Sequence, residues 1–272
     1  MAGELRYRKD LYRGTAGYYD RFRPPYPASL LDDLRARVPV LGDGRLLDLA
    51  CGTGQIACAL ARDVAEVWAV DLEAESVEFA ERKARRAGVT NIRWIAAAAE
   101  AVALEGAFDL VTIGNAFHRL HRDAVATRVT AHLPDGGCVA LLWGGTPWRG
   151  DRSWQRVLDD TLEQWTDAVG ARDRVPDGWE AAMDRDPHER VLARAGLVYE
   201  GRFEFAVDER WSVESLSGFV YSTSVLNRTV LEHRSAEFED DLRRRLLACC
   251  PDGVFEQHLT FAYELARRGP RS

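Results

Sequence analysis

Asp48 lies in a short apolar run, Leu46-Leu47-Asp48-Leu49-Ala50, that passes directly into Cys51-Gly52-Thr53-Gly54 and then into helix-forming residues from Gln55. A strand that delivers a carboxylate to a two-glycine turn suits a nucleotide-type ligand. Glycines permit the tight turn and a close backbone approach, and the first residues of the following helix offer free N–H groups. Gly52-x-Gly54-x-x-Ala57 also meets the pattern of dinucleotide sites, a weak signal by itself. The charge of Asp48 separates the two readings. A carboxylate there repels a pyrophosphate but suits S-adenosylmethionine, which carries an ammonium and a sulfonium and no phosphate. Asp71 ends a second buried-type run, Glu66-Val67-Trp68-Ala69-Val70-Asp71. It stands at the distance from the turn where open α/β nucleotide sites place the acid that holds both ribose hydroxyls. The plain alternatives are a solvated turn residue for Asp48 and a helix N-cap for Asp71.

This pair of stretches resembles motifs I and II of class I S-adenosylmethionine-dependent methyltransferases. The resemblance implies that the turn from Ala50 through Gly52 to Gly54 meets the cofactor together with Asp48 and Asp71. In that family a Gly-Asp-Ala-Glu-like segment after the third strand touches adenine; here the matching run is Ala97-Ala98-Ala99-Glu100, with Ala98 in place of the aspartate. It implies the Ala99 N–H at the adenine ring, Glu100 as the nearest carboxylate and Leu72 against the ring face. Gly114-Asn115-Ala116-Phe117-His118 corresponds to motif IV, which implies Asn115 and Ala116 beside the cofactor and Phe117 and His118 toward the acceptor. No Asn-Pro-Pro-Tyr is present, and Pro24-Pro25-Tyr26 is preceded by Arg23 rather than Asp or Asn, which argues against nucleic-acid amines.

Two further segments extend the likeness. The stretch from Tyr18 and Tyr19 to Arg23 resembles the leader that folds over the cofactor in small-molecule members. That implies Tyr18 closing over the sulfonium, Tyr19 at the acceptor and Arg23 on the methionine carboxylate. Packing tyrosines and a surface arginine are the plain alternative. The segment from Leu216 to Ser224 resembles one that lines the acceptor pocket in antibiotic-tailoring relatives, with Tyr221 and Ser222 as candidates; a core stripe of Phe219, Val220 and Leu226 is the other reading.

The elements that must position these residues follow from periodicity. Short apolar runs at 45–50, 66–71, 91–96, 108–113 and 137–143 suit parallel strands buried on both faces, separated by helical stretches such as Ala74 to Ala87. Alternation at Phe203, Phe205 and Val207, and again at Leu259, Phe261, Tyr263 and Leu265, adds two strands as an antiparallel edge. The expectation is an α/β, Rossmann-like, seven-stranded sheet, mostly parallel with the last strand antiparallel, under a helical cap. One domain would span 1–272, with its core at 28–143, 196–207 and 255–267. The cap and lid would come from 1–27, from the tryptophan-rich 144–194 and from 208–253, where Ser212 and Ser235 read as N-caps.

The chain has 272 residues, a net charge of −7 and 46% hydrophobic content, ample for one core and without general attraction for nucleic acid. Its apolar runs are strand-length, so membrane association is not expected. Five cysteines without metal-like spacing point to a reducing, cytoplasmic setting and no metal. Self-association is left open. The implied reaction moves a methyl group from S-adenosylmethionine to nitrogen or oxygen of a small-molecule acceptor in secondary metabolism, such as antibiotic biosynthesis, leaving S-adenosylhomocysteine. An amine needs only to lose its proton, whereas a hydroxyl needs a base, for which His118 is the candidate. An NAD-dependent oxidoreductase would need a catalytic Lys or Tyr pair that the sequence does not show. A non-catalytic cofactor-binding protein is the third reading.

Overall fold

In a computed structural model the described residues are 10–38, 42–176 and 178–270, so the expected lid residues 1–9 and core residues 39–41 lie outside them. Five strands come first in the sheet: β1 (Arg45–Leu49), β2 (Glu66–Asp71), β3 (Ile92–Ala96), β4 (Leu110–Gly114) and β5 (Cys138–Gly144). They pair in parallel, and β6 (Leu197–Trp211) and β7 (Phe255–Arg268) complete the order β3-β2-β1-β4-β5-β7-β6. β7 is antiparallel to both neighbours and lies inside the sheet, with β6 outside it. The direction of the chain between β1 and β4 reverses the strand order, the place where such sheets open a crevice at their carboxyl ends.

Alternation along each strand builds two apolar layers. Leu46, Val67, Ala69, Ala140 and Leu142 face one side, under α2 (Ala28–Arg37), α3 (Gln55–Leu60), α6 (Ser153–Ala168), α9 (Val213–Tyr221) and α11 (Ser235–Cys249). Leu47, Leu49, Val70, Val111 and Leu141 face the other, under α5 (Arg122–Ala131) and α8 (His188–Arg194). α4 (Ala74–Arg86) buries Val77, Ala80 and Ala84, starts with Glu75 and ends with Lys83, Arg85 and Arg86, which suits its dipole. The remaining helices are α1 (Ala16–Phe22), α7 (Trp179–Arg185) and the one-turn α10 (Arg228–Leu231).

Four expectations change. β6 and β7 run well beyond the alternating cores read from sequence, to 15 and 14 residues. β7 inserts between β5 and β6 instead of extending the edge in chain order. α8, expected in the cap, buries Val191 and Leu192 in the lower layer with α5. Ser212 caps α9 by accepting the Ser215 N–H at 3.1 Å, but Ser235 is the first residue of α11, one past the cap position at Arg234, and its hydroxyl donates back to the Glu232 carbonyl.

Candidate active site

A cavity of about 1190 Å³ opens over the carboxyl ends of β1, β2, β4 and β5. The turn after β1 forms its floor. Ala50 and Gly52 take left-handed φ of +52° and +53°, and after β4 Asn115 does the same at +51°. Non-glycine residues held there store backbone strain of about 1 to 3 kcal/mol each, and such positions gather at ligand sites. A Cβ on Gly52 would point into open space, so the missing side chain leaves room directly above the turn. Gly54 has a different reason to be glycine. A Cβ there would sit 2.6 Å from the Trp94 ring, so that residue lets α3 close against β3 and does not line the cavity.

Asp48 is 0% exposed and lies beneath the turn. Its oxygens accept the Thr112 hydroxyl at 2.7 Å and the Ala57 N–H at 3.1 Å, which ties β1 to β4 and to α3. Burial pushes its carboxyl up to about 7 against the pull of those two donors. The sequence expectation of direct cofactor contact is therefore corrected for Asp48 and Gly54: both shape the turn from below. Asp71 does reach the cavity. One oxygen accepts the Gly52 N–H at 2.8 Å and the other the Glu73 N–H at 2.9 Å, leaving each a lone pair, and burial raises its pKa. It serves the backbone around the turn and is not the N-cap of α4, a position held by Glu73.

Around Asp71 the cavity wall carries Leu72, which is 48% exposed, together with Ala99, Glu100 and Ala116. Glu100 also accepts the His121 N–H at 3.1 Å. Asn115 is a bracket: it accepts the Gly144 N–H at 2.9 Å and donates to the Tyr26 hydroxyl at 3.1 Å. Tyr26, which the sequence reading passed over as a site residue, thereby joins the wall; its link to Asn115 crosses 89 residues and has no local signature. Thr53 Oγ1 and Glu73 Oε1 are buried here without a hydrogen-bond partner.

The leader closes one side. Tyr19 on α1 and Arg23 just past its end face the cavity, while Tyr18 and Phe22 stack together at 6.2 Å and Tyr18 turns its edge to Tyr221. Arg23 is stacked on Phe219 at 4.1 Å and donates to Ser222 Oγ at 2.7 Å; no carboxylate of the described residues pairs with it, and burial lowers its pKa. A half-buried guanidinium facing a cavity without an anion is suited to a carboxylate ligand. Tyr18 is thus corrected from a position over the cofactor to a helix contact. Tyr221 and Ser222 are corrected likewise: Tyr221 is buried and donates to Glu239 at 2.7 Å, and Ser222 is buried with its hydroxyl on the Phe219 carbonyl.

The far end of the cavity is aromatic. Trp143, Trp179, Met183, His118 and His188 line it, while Trp148 lines the cavity beside Phe219, the ring on which Arg23 stacks. Trp154 and Trp165, from the same tryptophan-rich stretch, are buried in the core instead. Phe117 is also buried, packed 5.3 Å from His188 beneath the wall, and so does not face an acceptor. His118 does line the cavity, between Trp143 and Trp179, and its Nε2 accepts the Arg119 guanidinium at 3.1 Å. Burial, then the neighbouring His188 and Arg122, push its pKa down to about 4. A ring that is neutral at ordinary pH, with its lone pair already engaged, is a weak proton acceptor, which disfavours the expected role as base.

Residues 46–137, the third of the chain that builds the turn, Asp71 and the β4 loop, match the model of a family described as a methyltransferase domain. The uncharacterized methyltransferase Rv0089 of Mycobacterium tuberculosis is 32% identical over 160 residues, covering 57% of this chain and 76% of that protein. The chain belongs to the class I S-adenosylmethionine-dependent methyltransferases. Solved structures share the enzyme's fold. A candidate type II methyltransferase from Anaeromyxobacter dehalogenans superposes with a TM-score of 0.66 at 21% identity, over 92% of this chain and all of that one. Phosphoethanolamine N-methyltransferase 2 of Haemonchus contortus, solved with phosphomonomethylethanolamine and S-adenosylhomocysteine, gives 0.54 at 17% identity, over 94% of the methyltransferase and 57% of that chain. Among the described residues no group of three or more His, Cys, Asp or Glu is placed to hold a metal ion, and no helix is long and apolar enough to cross a membrane.

Proposed function

We propose that the enzyme transfers the methyl group of S-adenosylmethionine to nitrogen or oxygen of a small acceptor with an aromatic or apolar body, as a tailoring step in secondary metabolism of the antibiotic-biosynthesis kind. The observation that carries this reading is the division of the cavity. One part offers a carboxylate, an open glycine turn, orphaned polar atoms and a half-buried arginine without an anionic partner; another is walled by Trp143 and Trp179. When bound, the cofactor supplies a methyl carbon already activated by positive sulfur. Asp71 would hold the ribose hydroxyls, Leu72, Ala99 and Glu100 the adenine, and Arg23 the methionine carboxylate, with Gly52, Ala50, Asn115 and Ala116 forming the bed. The tryptophans would clamp the acceptor and exclude water, so that alignment lowers the barrier.

An acidic protein with this aromatic wall fits a free small molecule in the cytoplasm better than a polymer. The test is incubation of the full chain with methyl-tritiated S-adenosylmethionine and a panel of small amines, phenols and hydroxy acids, with total RNA alongside. Label in a small product supports the reading. Label in RNA alone, or no transfer despite cofactor binding by calorimetry, overturns it.

A further inference from the structure

His188 opens α8 and enters the cavity wall from beneath β5 and β7, a position with no motif in the sequence. Its ring lies flat on Trp143, with centroids 5.0 Å apart and planes 11° from parallel. Its Nδ1 faces Glu264 Oε1 at 3.5 Å. Glu264 is a buried carboxylate on β7 whose other neighbour is Arg202 of β6, at 3.4 Å from the same oxygen. A carboxylate opposite Nδ1 keeps the proton on that nitrogen and leaves the lone pair on Nε2. Nε2 is buried and has no hydrogen-bond partner, and the indole Nε1 of Trp143 is in the same condition.

Two stacked rings in one cavity wall thus carry an unmet acceptor and an unmet donor. Buried polar atoms are costly to leave unpaired by roughly 1 to 3 kcal/mol each. Both nitrogens are closed to solvent in this structure, so the ring edges must part to admit a ligand; a hydroxyl oxygen admitted between them would answer both, accepting the indole N–H and donating its own proton to the imidazole. His118 cannot fill this place, because its Nε2 already takes the Arg119 guanidinium.

Resting on the methyltransferase reading above, we propose that the acceptor is a hydroxyl compound, of phenol-like acidity, and that His188 backed by Glu264 takes its proton while Trp143 holds its oxygen. The O–H bond breaks and the proton goes to His188 Nε2. The electron pair stays on oxygen, where it forms the bond to the methyl carbon as the carbon–sulfur pair remains on sulfur. Glu264 faces the imidazolium so formed, and as a positioning residue it acts only through His188.

The test needs no turnover. The full chain, with Glu264→Gln and His188→Gln variants, is saturated with S-adenosylhomocysteine and titrated with 4-nitrophenol at a pH where the free compound is protonated. Proton transfer in the complex shows as phenolate absorbance. The wild type is expected to give it, His188→Gln to lose it tenfold or more, and Glu264→Gln to lose it several-fold, with S-adenosylhomocysteine affinity within twofold in both variants. Phenolate absorbance that survives in His188→Gln, or none in a wild type that binds S-adenosylhomocysteine, overturns the assignment and leaves the parent reading standing. Failure of S-adenosylhomocysteine to bind the wild type overturns both.

Discussion

Asp48 shows how a residue can be essential to a ligand site without touching the ligand. Its folded carboxyl titrates near 7 against an ordinary 3.8, so the folded chain holds a proton that the unfolded chain has released. That contribution is complete below the unfolded pKa and is lost as pH rises through the folded one. Asp48→Asn keeps the shape but does not titrate. Its stability relative to wild type is therefore expected to improve by about 3 kcal/mol on going from about pH 5 to about pH 8, as read from urea unfolding at both. A constant difference would show that Asp48 is ionised throughout. The two glycines make a second contrast. Gly54→Ala drives a methyl into Trp94 and is expected to cost about 2 kcal/mol or more of stability. Gly52→Ala meets no atom, so it should cost only about 1 kcal/mol while weakening S-adenosylmethionine binding tenfold or more by calorimetry. The sequence showed the acid and both glycines but not which sides they face. Alternation from Leu46 to Asp48 was the available clue: both lie on the face that α3 covers, so a side chain at 48 points into protein.

At the scale of elements, the leader is held shut by polar ties to several neighbouring elements. Gly14 N–H reaches Glu75 and Asp20 pairs with Lys83 at 2.5 Å, both on α4. Arg21 pairs with Glu214 on α9, and the Leu11 carbonyl accepts from Asn227 and Arg174. Partly exposed ion pairs contribute little to global stability, about 1 kcal/mol at most, but they can control a segment that must open. Lys83→Ala is expected to speed release of S-adenosylhomocysteine several-fold in stopped-flow while lowering the melting temperature by no more than about 3 °C. An unchanged release rate would mean that α1 does not gate the cavity. The leader was visible in sequence through its resemblance, whereas its rotation was not used. Helical spacing pairs Tyr18 with Phe22 and Tyr19 with Arg23, and only one pair can face inward. α8 eluded the reading for another reason: a seven-residue helix with two buried side chains carries too short a pattern to tell a core layer from a cap.

For the whole molecule, the five parallel strands were legible to within two residues because each is a short, mostly apolar run; the middle residues of β1, β2, β4 and β5 are buried, whereas β3, at the sheet edge, keeps Ile92, Trp94 and Ile95 half-buried around an exposed Arg93. The position of β7 was not legible, since pairing between Cys138 and Arg267 is a long-range choice that no local pattern records. The outer strand β6 presents Glu200, Arg202, Glu204, Asp208 and Arg210 on its exposed alternate positions, the usual protection of a sheet edge. Replacing Glu204 and Arg210 together by valine is expected to leave native stability within about 1 kcal/mol and to raise aggregation during refolding, measured by light scattering. Equal scattering would show that the charges are not protective. That charge pattern has a consequence in time. β6 has β7 as its strand partner, and 43 residues separate the end of one from the start of the other. On the ribosome, at about 5 to 20 residues per second, β6 must wait several seconds with both of its long sides bare. Its alternating acids and arginines are therefore a safeguard for the nascent chain, keeping a fifteen-residue strand from joining a neighbouring polypeptide before its own mate has been made.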